Sequence, residues 1–228
     1  MKMINADFSK NVIIKPDDYA WLPSPNGEVE RMMLDRIGDE KARATSLVKY
    51  APKTVFPEHS HPLGEELFIL SGTFTENGEQ HYPKGWYIRN PHNSKHIPSS
   101  NEGALIFVKL MQMGENETEK LVIDTNNPDN WIVVEGRTIC PLFSSLTENT
   151  YLEKLSAQDV LQQQSISGLE ILVIQGELLN DDDHYPEGTW IRFPTDATHT
   201  LIASDAGAEL YIKSGPVSYT HLTLPTKA

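Results

Sequence analysis

Apolar residues in this chain fall in short runs rather than at helical spacing. Runs rich in β-branched and aromatic residues lie between clusters of Gly, Pro, Asn and Asp, at Thr45–Tyr50, Glu66–Leu70, Tyr87–Arg89, Leu105–Leu110, Ile132–Val134, Ile171–Ile174, Thr189–Phe193 and Leu210–Lys213. Short strands at regular intervals with turn signals between them predict an all-β antiparallel sandwich or barrel. One short helix is expected at Ala157–Gln163, with Ser156 as its cap.

The pattern then repeats. His81–His96 reads HYPKGWYIRNPHNSKH and His184–His199 reads HYPEGTWIRFPTDATH, identical at eight of sixteen positions without a gap. Upstream, GEELFILSG ending at Gly72 answers to SGLEILVIQG ending at Gly176, and Trp21 answers to Trp131. Two tandem copies of one β unit follow, taken as residues 1–115 and 116–215. Asn93 and Asp196 stand two residues after matching prolines, and both types tolerate left-handed backbone, so both copies should make the same tight turn before their last histidine. Pro216–Ala228 fits neither copy and is read, with His221, as a tail outside the fold.

Charge narrows the function. Lys and Arg number 19 against 32 Asp and Glu, a net charge of −13, and no basic cluster interrupts it, so direct nucleic-acid binding is not expected. No apolar run approaches the roughly 20 residues of a membrane helix, and the N-terminus lacks a secretory signal. A cytoplasmic protein without membrane contact is expected. The lone Cys140 excludes an internal disulfide and a CxxC metal site, and its apolar surroundings suit a buried filler.

Candidate chemistry concentrates in PEHSHPLGEELFILSG, Pro57–Gly72. Residues two apart on a strand share a face, so His59 and His61 project together. Glu65 follows the turn after them, and His96 arrives from another strand. Either Glu65 or Glu66 could complete the set, and the internal copy decides between them. Glu66 persists as Glu170, whereas Glu65 becomes Leu169 in the half where His59 and His61 become Gln163 and Ser165 and only His199 remains. The acid that vanishes with the histidines is taken as the ligand, and Glu66 as an outward-facing structural charge. Three imidazoles and one carboxylate suit Fe, Mn, Ni, Co or Zn as a divalent ion. His92 is a candidate second-layer or pocket histidine, and Leu67, Ile69, Ile106 and Val108 are candidate walls of a ligand pocket. Arg89 and Arg192 recur in both copies, which predicts structural ion pairs. His81 and His184 also recur and are read as holding a hairpin, while Asp181–Asp183 is read as a solvated hairpin tip. No Ser-His-Asp set, phosphate loop or catalytic carboxylate pair is present, so any chemistry must come from a metal.

The spacing His59-x-His61-x3-Glu65-x6-Gly72 resembles the first motif of the cupin superfamily. Gly85-x5-Pro91-x-Asn93-x2-His96 resembles the second, with Asn93 where glycine is usual. Lys53 replaces the first motif's leading glycine, and Ser100 stands where the second often ends in Asn; these departures touch turns, not ligands. The resemblance spans both halves and implies two tandem cupin barrels, of double-stranded β-helix or jelly-roll type, the second degenerate. Within cupins the first half is similar to the ChrR-like group, named for the cupin domain of an anti-sigma factor, through MMLDRIGDEKARATSLVKYAPKTVFPEHSHPLGEE, YPKGWYIRNPHNSKH and IFVKL. That likeness implies one divalent metal on His59, His61, Glu65 and His96, commonly zinc, with iron, manganese and nickel as alternatives. It also implies a sensing or ligand-binding role with a small-molecule ligand, a regulatory protein partner and a possible homodimer. The CxxC-bearing helical anti-sigma half of ChrR has no match here. Some similar cupins are dioxygenases that cleave diketones or hydroxy-ketones, which is the competing expectation.

Overall fold

A computed structural model describes residues 1–24, 27–39, 41–114, 116–162, 167–181 and 183–215. Among these every predicted run lies in a strand or begins one residue before it, and the helical content is two single 3-10 turns, Pro16–Asp18 and Pro128–Asn130. Of the expected Ala157–Gln163 helix, residues 157–162 are described and form no helix; Gln163 lies outside the described residues. Gln158 takes a left-handed φ of 62°, the Asp159 carboxylate accepts from the Ser156 amide at 2.8 Å, and Val160 makes an isolated bridge to Ile202. Ser156 opens a turn closed by Asp159 instead of capping a helix, and Leu161 packs into the core of the second barrel.

Two antiparallel barrels stand back to back. The large sheet of the first runs Val29–Gly38, Ala42–Tyr50, Ala104–Leu110, Glu65–Glu76, Trp86–Asn90 and ends on Leu121–Asp124. The second repeats the order as Arg137–Ser144, Asn149–Leu155, Ile202–Ser214, Leu169–Asn180, Trp190–Phe193 and ends on Val12–Ile14. At their other ends the sheets are closed by Met3–Ile4 and Ile132–Val134, so one of the two outermost strands of each comes from the opposite half of the chain: Val12 pairs with Arg192, and Leu121 with Arg89. On the opposite side of the first barrel His59–His61 pairs with Ser94–His96, and Thr54–Val55 with Pro98–Ser100.

Glu65–Glu76 serves both sides of its barrel by bending at Gly72, whose φ is 69°. A Cβ there would stand 2.0 Å from the Gly103 carbonyl oxygen, and at Gly176 a Cβ would stand 2.2 Å from that of Gly207. Asn93 and Asp196 have φ of 59° and 57°, and the amides after them, Ser94 and Ala197, donate to Pro91 and Pro194, so the two copies do share the predicted turn. Lys53, where cupins favour glycine, also takes a left-handed φ, 64°. Lys49 lies 4.2 Å above the Trp21 ring and Lys154 3.9 Å above Trp131, which supports pairing those two tryptophans.

Strand parity sorts the side chains into three cores. Leu67 and Ile69 point into the first barrel with Val48, Ile88, Ile106 and Val108. Leu169, Ile171 and Val173 fill the second. Phe68, Tyr87, Leu172, Trp190 and Tyr211 pack between the barrels, and Cys140 joins them fully buried, which pushes its thiol up to about 11.

That middle layer also holds charge, and Glu66 is the structural charge expected of it. It faces outward from its own barrel but is buried against the other, 3% exposed. Lys213 reaches it at 2.7 Å and Arg89 at 3.0 Å, and Tyr211 donates to its other oxygen. Glu170 mirrors this from the second barrel, taking Lys109 at 2.5 Å and the Trp190 indole at 2.8 Å. Arg89 also meets Glu148 at 2.8 Å, and Arg192 meets Asp35 at 3.0 Å, so both arginines are structural as predicted. Buried charges persist only when paired in this way.

Candidate metal centre

The site forms where the two-stranded His59–His61/Ser94–His96 ribbon faces the start of Glu65–Glu76. His96 lies directly across from His59, and the left-handed Asn93 turn sets that register, its amide donating to the His61 carbonyl at 2.8 Å. The rings of His59, His61 and His96 stand edge to face with centroids 4.8–4.9 Å apart. His61 Nε2 and His96 Nε2 are 3.0 Å apart, and Glu65 Oε2 is 3.4 Å from the first and 3.6 Å from the second. Among the described residues these three histidines form a cluster of donor atoms all within 4.8 Å of one another.

Each outer nitrogen explains why the inner one is available. His59 Nδ1–H donates to the Pro57 carbonyl at 2.9 Å, and His96 Nδ1–H donates to Glu76 at 2.8 Å. Both tautomers are thereby fixed with the Nε2 lone pair inward, the usual arrangement behind a metal-bound imidazole. Burial, with the neighbouring His96 and His59, pushes His61 down to about 3, so it is neutral and ready to donate. Burial pushes the Glu65 carboxyl up to about 7, against attraction from His96 and a hydrogen bond from Asn90. The set is thus short of positive charge at its centre. Donors held at about 2.1 Å by one ion stand roughly 3 Å apart, which the 3.0–3.6 Å separations among His61, His96 and Glu65 match, and His59 lies with the other two histidines inside a 4.8 Å cluster, so the donor set fits a divalent cation.

Glu76 was not anticipated from sequence. Burial works against its ionised form, but hydrogen bonds from His96, Lys120 and Asn90 hold it at about 2. Its counterpart in the second strand pairing is Asn180, so the acid that orients His96 disappears with the ligands, a signal the repeat did contain.

A cavity of about 650 Å³ opens beside the cluster, walled by Val48, Tyr50, Phe56, Ile106, Val108 and Leu110 and including His59, His61 and Glu65. Of the predicted walls, Ile106 and Val108 are present. Leu67 and Ile69 share their parity but lie deeper, in the packed core behind the cavity. His92 sits half-buried in the Pro91–Ser94 turn, outside the cavity wall, with no partner at Nε2.

In the second barrel Leu169 occupies the place of Glu65 and Phe193 that of Asn90, as matching registers show. His199, half-buried, stacks at 4.6 Å on Phe193, which belongs to the hydrophobic interior with Leu161 and Leu201. Gln163 and Ser165, the counterparts of His59 and His61, lie outside the described residues, as do Asp182 of the predicted hairpin tip and the tail Pro216–Ala228.

A family model of the ChrR Cupin-like domain matches residues 9–114 and again 118–218. The chain belongs to that family. Both barrels of this ChrR-like bicupin are matched, so the second is a true, altered copy. No curated protein matches the sequence. Solved structures share the fold at low identity. A candidate dioxygenase of Nostoc punctiforme is 14% identical with a TM-score of 0.73, covering 92% of this chain and 84% of that one. The pirin YhhW of Escherichia coli in complex with nickel(II) is 16% identical, TM-score 0.65, covering 91% and 100%. A candidate glyoxylate-induced protein of Pseudomonas aeruginosa is 13% identical, TM-score 0.69, covering 94% and 92%.

Proposed function

We propose that the first barrel holds one divalent metal ion on His59, His61, Glu65 and His96 and binds a small molecule at that ion, as a metal-dependent ligand-binding or sensing module. The observation that carries this reading is the meeting of three imidazoles, with a carboxylate buried against two of them, beside a cavity. A purely structural site is closed by protein donors, whereas a site meant for a ligand keeps an approach. The ion, when bound, supplies positive charge and Lewis acidity. The chain's own residues do the rest: Pro57 and Glu76 hold two imidazoles in the donating tautomer, and Val48, Ile106 and Val108 keep the approach dry. The ChrR likeness favours zinc, and the donor set also suits iron, manganese or nickel. We place the protein in the cytoplasm, reporting ligand arrival to a regulatory partner or across a homodimer.

The test is the visible spectrum of the cobalt(II)-loaded protein titrated with azide. A saturable spectral change demonstrates an exchangeable position, and an unchanged spectrum contradicts the reading. A second reading is supported by the apolar cavity wall next to a four-donor set: an Fe(II) dioxygenase cleaving a small diketone or hydroxy-ketone. Oxygen uptake by iron-loaded protein with acetylacetone, lost in His96→Ala, supports it; no uptake above the zinc-loaded control sets it aside.

A further inference from the structure

The cavity beside the metal cluster has a property that metal binding does not require. In a chain of net charge −13, its wall includes Arg31, Arg36 and Lys41, and among the described residues the one acid in it is Glu65 at the cluster itself. Among the described residues the Arg31 side chain makes no ion pair or hydrogen bond; its guanidinium lies 5.9 Å over the Phe56 ring, which in turn stands edge-on to His59 at 5.5 Å. Arg36 donates to the backbone carbonyls of Gly38 and Asp39 and makes no ion pair among the described residues. Both arginines come from Val29–Gly38. A bulge between Met33 and Asp35 shifts the register there, so Asp35 turns to Arg192 between the barrels while Arg31 and Arg36 both reach the cavity.

The second barrel supplies the control. Thr45 pairs with Lys109 and Thr150 with Lys213, which fixes the equivalence of the two sheets. On that register Arg31 corresponds to Ile139 and Arg36 to Ser144, with a bulge at the same place. Ile139 packs on the hydrophobic interior of its barrel. The buried structural charges Glu66, Arg89 and Lys109 keep their counterparts in Glu170, Arg192 and Lys213, whereas both arginines of the cavity are absent from the copy that lacks Glu65. They therefore follow the site, not the fold.

We propose that the ligand of the first barrel is a small organic anion, its charged end met by Arg31 and Arg36 and its apolar body against Val48, Ile106 and Val108. Guanidinium groups suit carboxylates through paired N–H donors, and a low-dielectric wall strengthens the attraction. This deepens the proposed metal-dependent ligand binding and rests on it.

The test uses glutarate and glutaramate, equal in shape but differing by one charge, titrated calorimetrically into zinc-loaded protein whose metal content is measured on the same sample. Glutarate is expected to bind at least tenfold more tightly. The double variant Arg31→Gln/Arg36→Gln is expected to lose that preference while keeping its zinc, and Arg31→Lys/Arg36→Lys to restore part of it. Equal binding of the two probes by the wild type overturns the inference, as does a preference that survives in the double Gln variant. Inorganic phosphate binding as tightly as glutarate also overturns it, because the apolar wall would then contribute nothing. If wild-type protein fails to hold zinc, the metal reading fails separately. The anion site is then judged by glutarate-dependent thermal stabilisation of metal-free protein, which must be present and arginine-dependent for the inference to stand.

Discussion

At the residue scale the metal-free site stores an electrostatic conflict centred on Glu65. Its carboxyl titrates near 7 in the fold against an ordinary 4.5 because burial disfavours the anion. Folding therefore favours the protonated form: the contribution is fully present below pH 4.5 and is lost as pH rises through about 7. Above that, the ionised carboxylate weighs on the metal-free fold by roughly 3 kcal/mol. Metal-free Glu65→Gln should accordingly be more stable than wild type at pH 8 by about 1–3 kcal/mol in urea denaturation and close to it at pH 4, although it binds metal far more weakly. Glu76→Gln keeps the four donors but removes the acceptor that fixes His96, so metal affinity should fall about 10–100-fold in a competition assay with a chromophoric chelator. Much of this site is legible in the sequence, because ligand loss in the second copy separates Glu65 from Glu66. Glu76 escapes a ligand search because it lies eleven positions beyond Glu65 on a strand that must first bend at Gly72.

At the scale of single elements, turn chemistry decides register. Gly72→Ala would put a methyl group against the Gly103 carbonyl on a backbone that L side chains rarely adopt, and should lower stability by about 2 kcal/mol or more in thermal denaturation. Asn93→Gly should be tolerated, because glycine reaches the same left-handed φ without strain. Strand positions follow from β-branched runs and turn residues, which is why the predicted runs fall where strands form. The Ala157–Gln163 prediction fails for a tertiary reason: local propensity suits a helix, but Leu161 is claimed by the barrel interior. Likewise Leu67 and Ile69 show the right parity for the cavity, but depth along a strand is set by the barrel's closure and not by alternation.

At the scale of the whole molecule, a buried and mutually inverted pair of contacts, Lys109–Glu170 and Lys213–Glu66, ties the barrels together, and each sheet borrows one of its two edge strands from the other half. The recurrence of Glu, Arg and Lys at these positions is visible in the sequence, but that the lysines meet the glutamates across the barrels is not, since within one copy Glu66 already has Arg89 beside it. Calorimetry should show one cooperative unfolding transition. Lys213→Met, which strands Glu66 and Glu148 with less compensation, should lower stability by about 3–5 kcal/mol without removing any proposed metal ligand.

The most direct measurement is the metal content, by inductively coupled plasma mass spectrometry, of protein purified without added metal, comparing wild type with His59→Ala and His199→Ala. One ion per chain in wild type and in His199→Ala, with loss in His59→Ala, is the predicted result. Two ions per chain, or one that survives His59→Ala and leaves with His199→Ala, would contradict the assignment of the site to the first barrel.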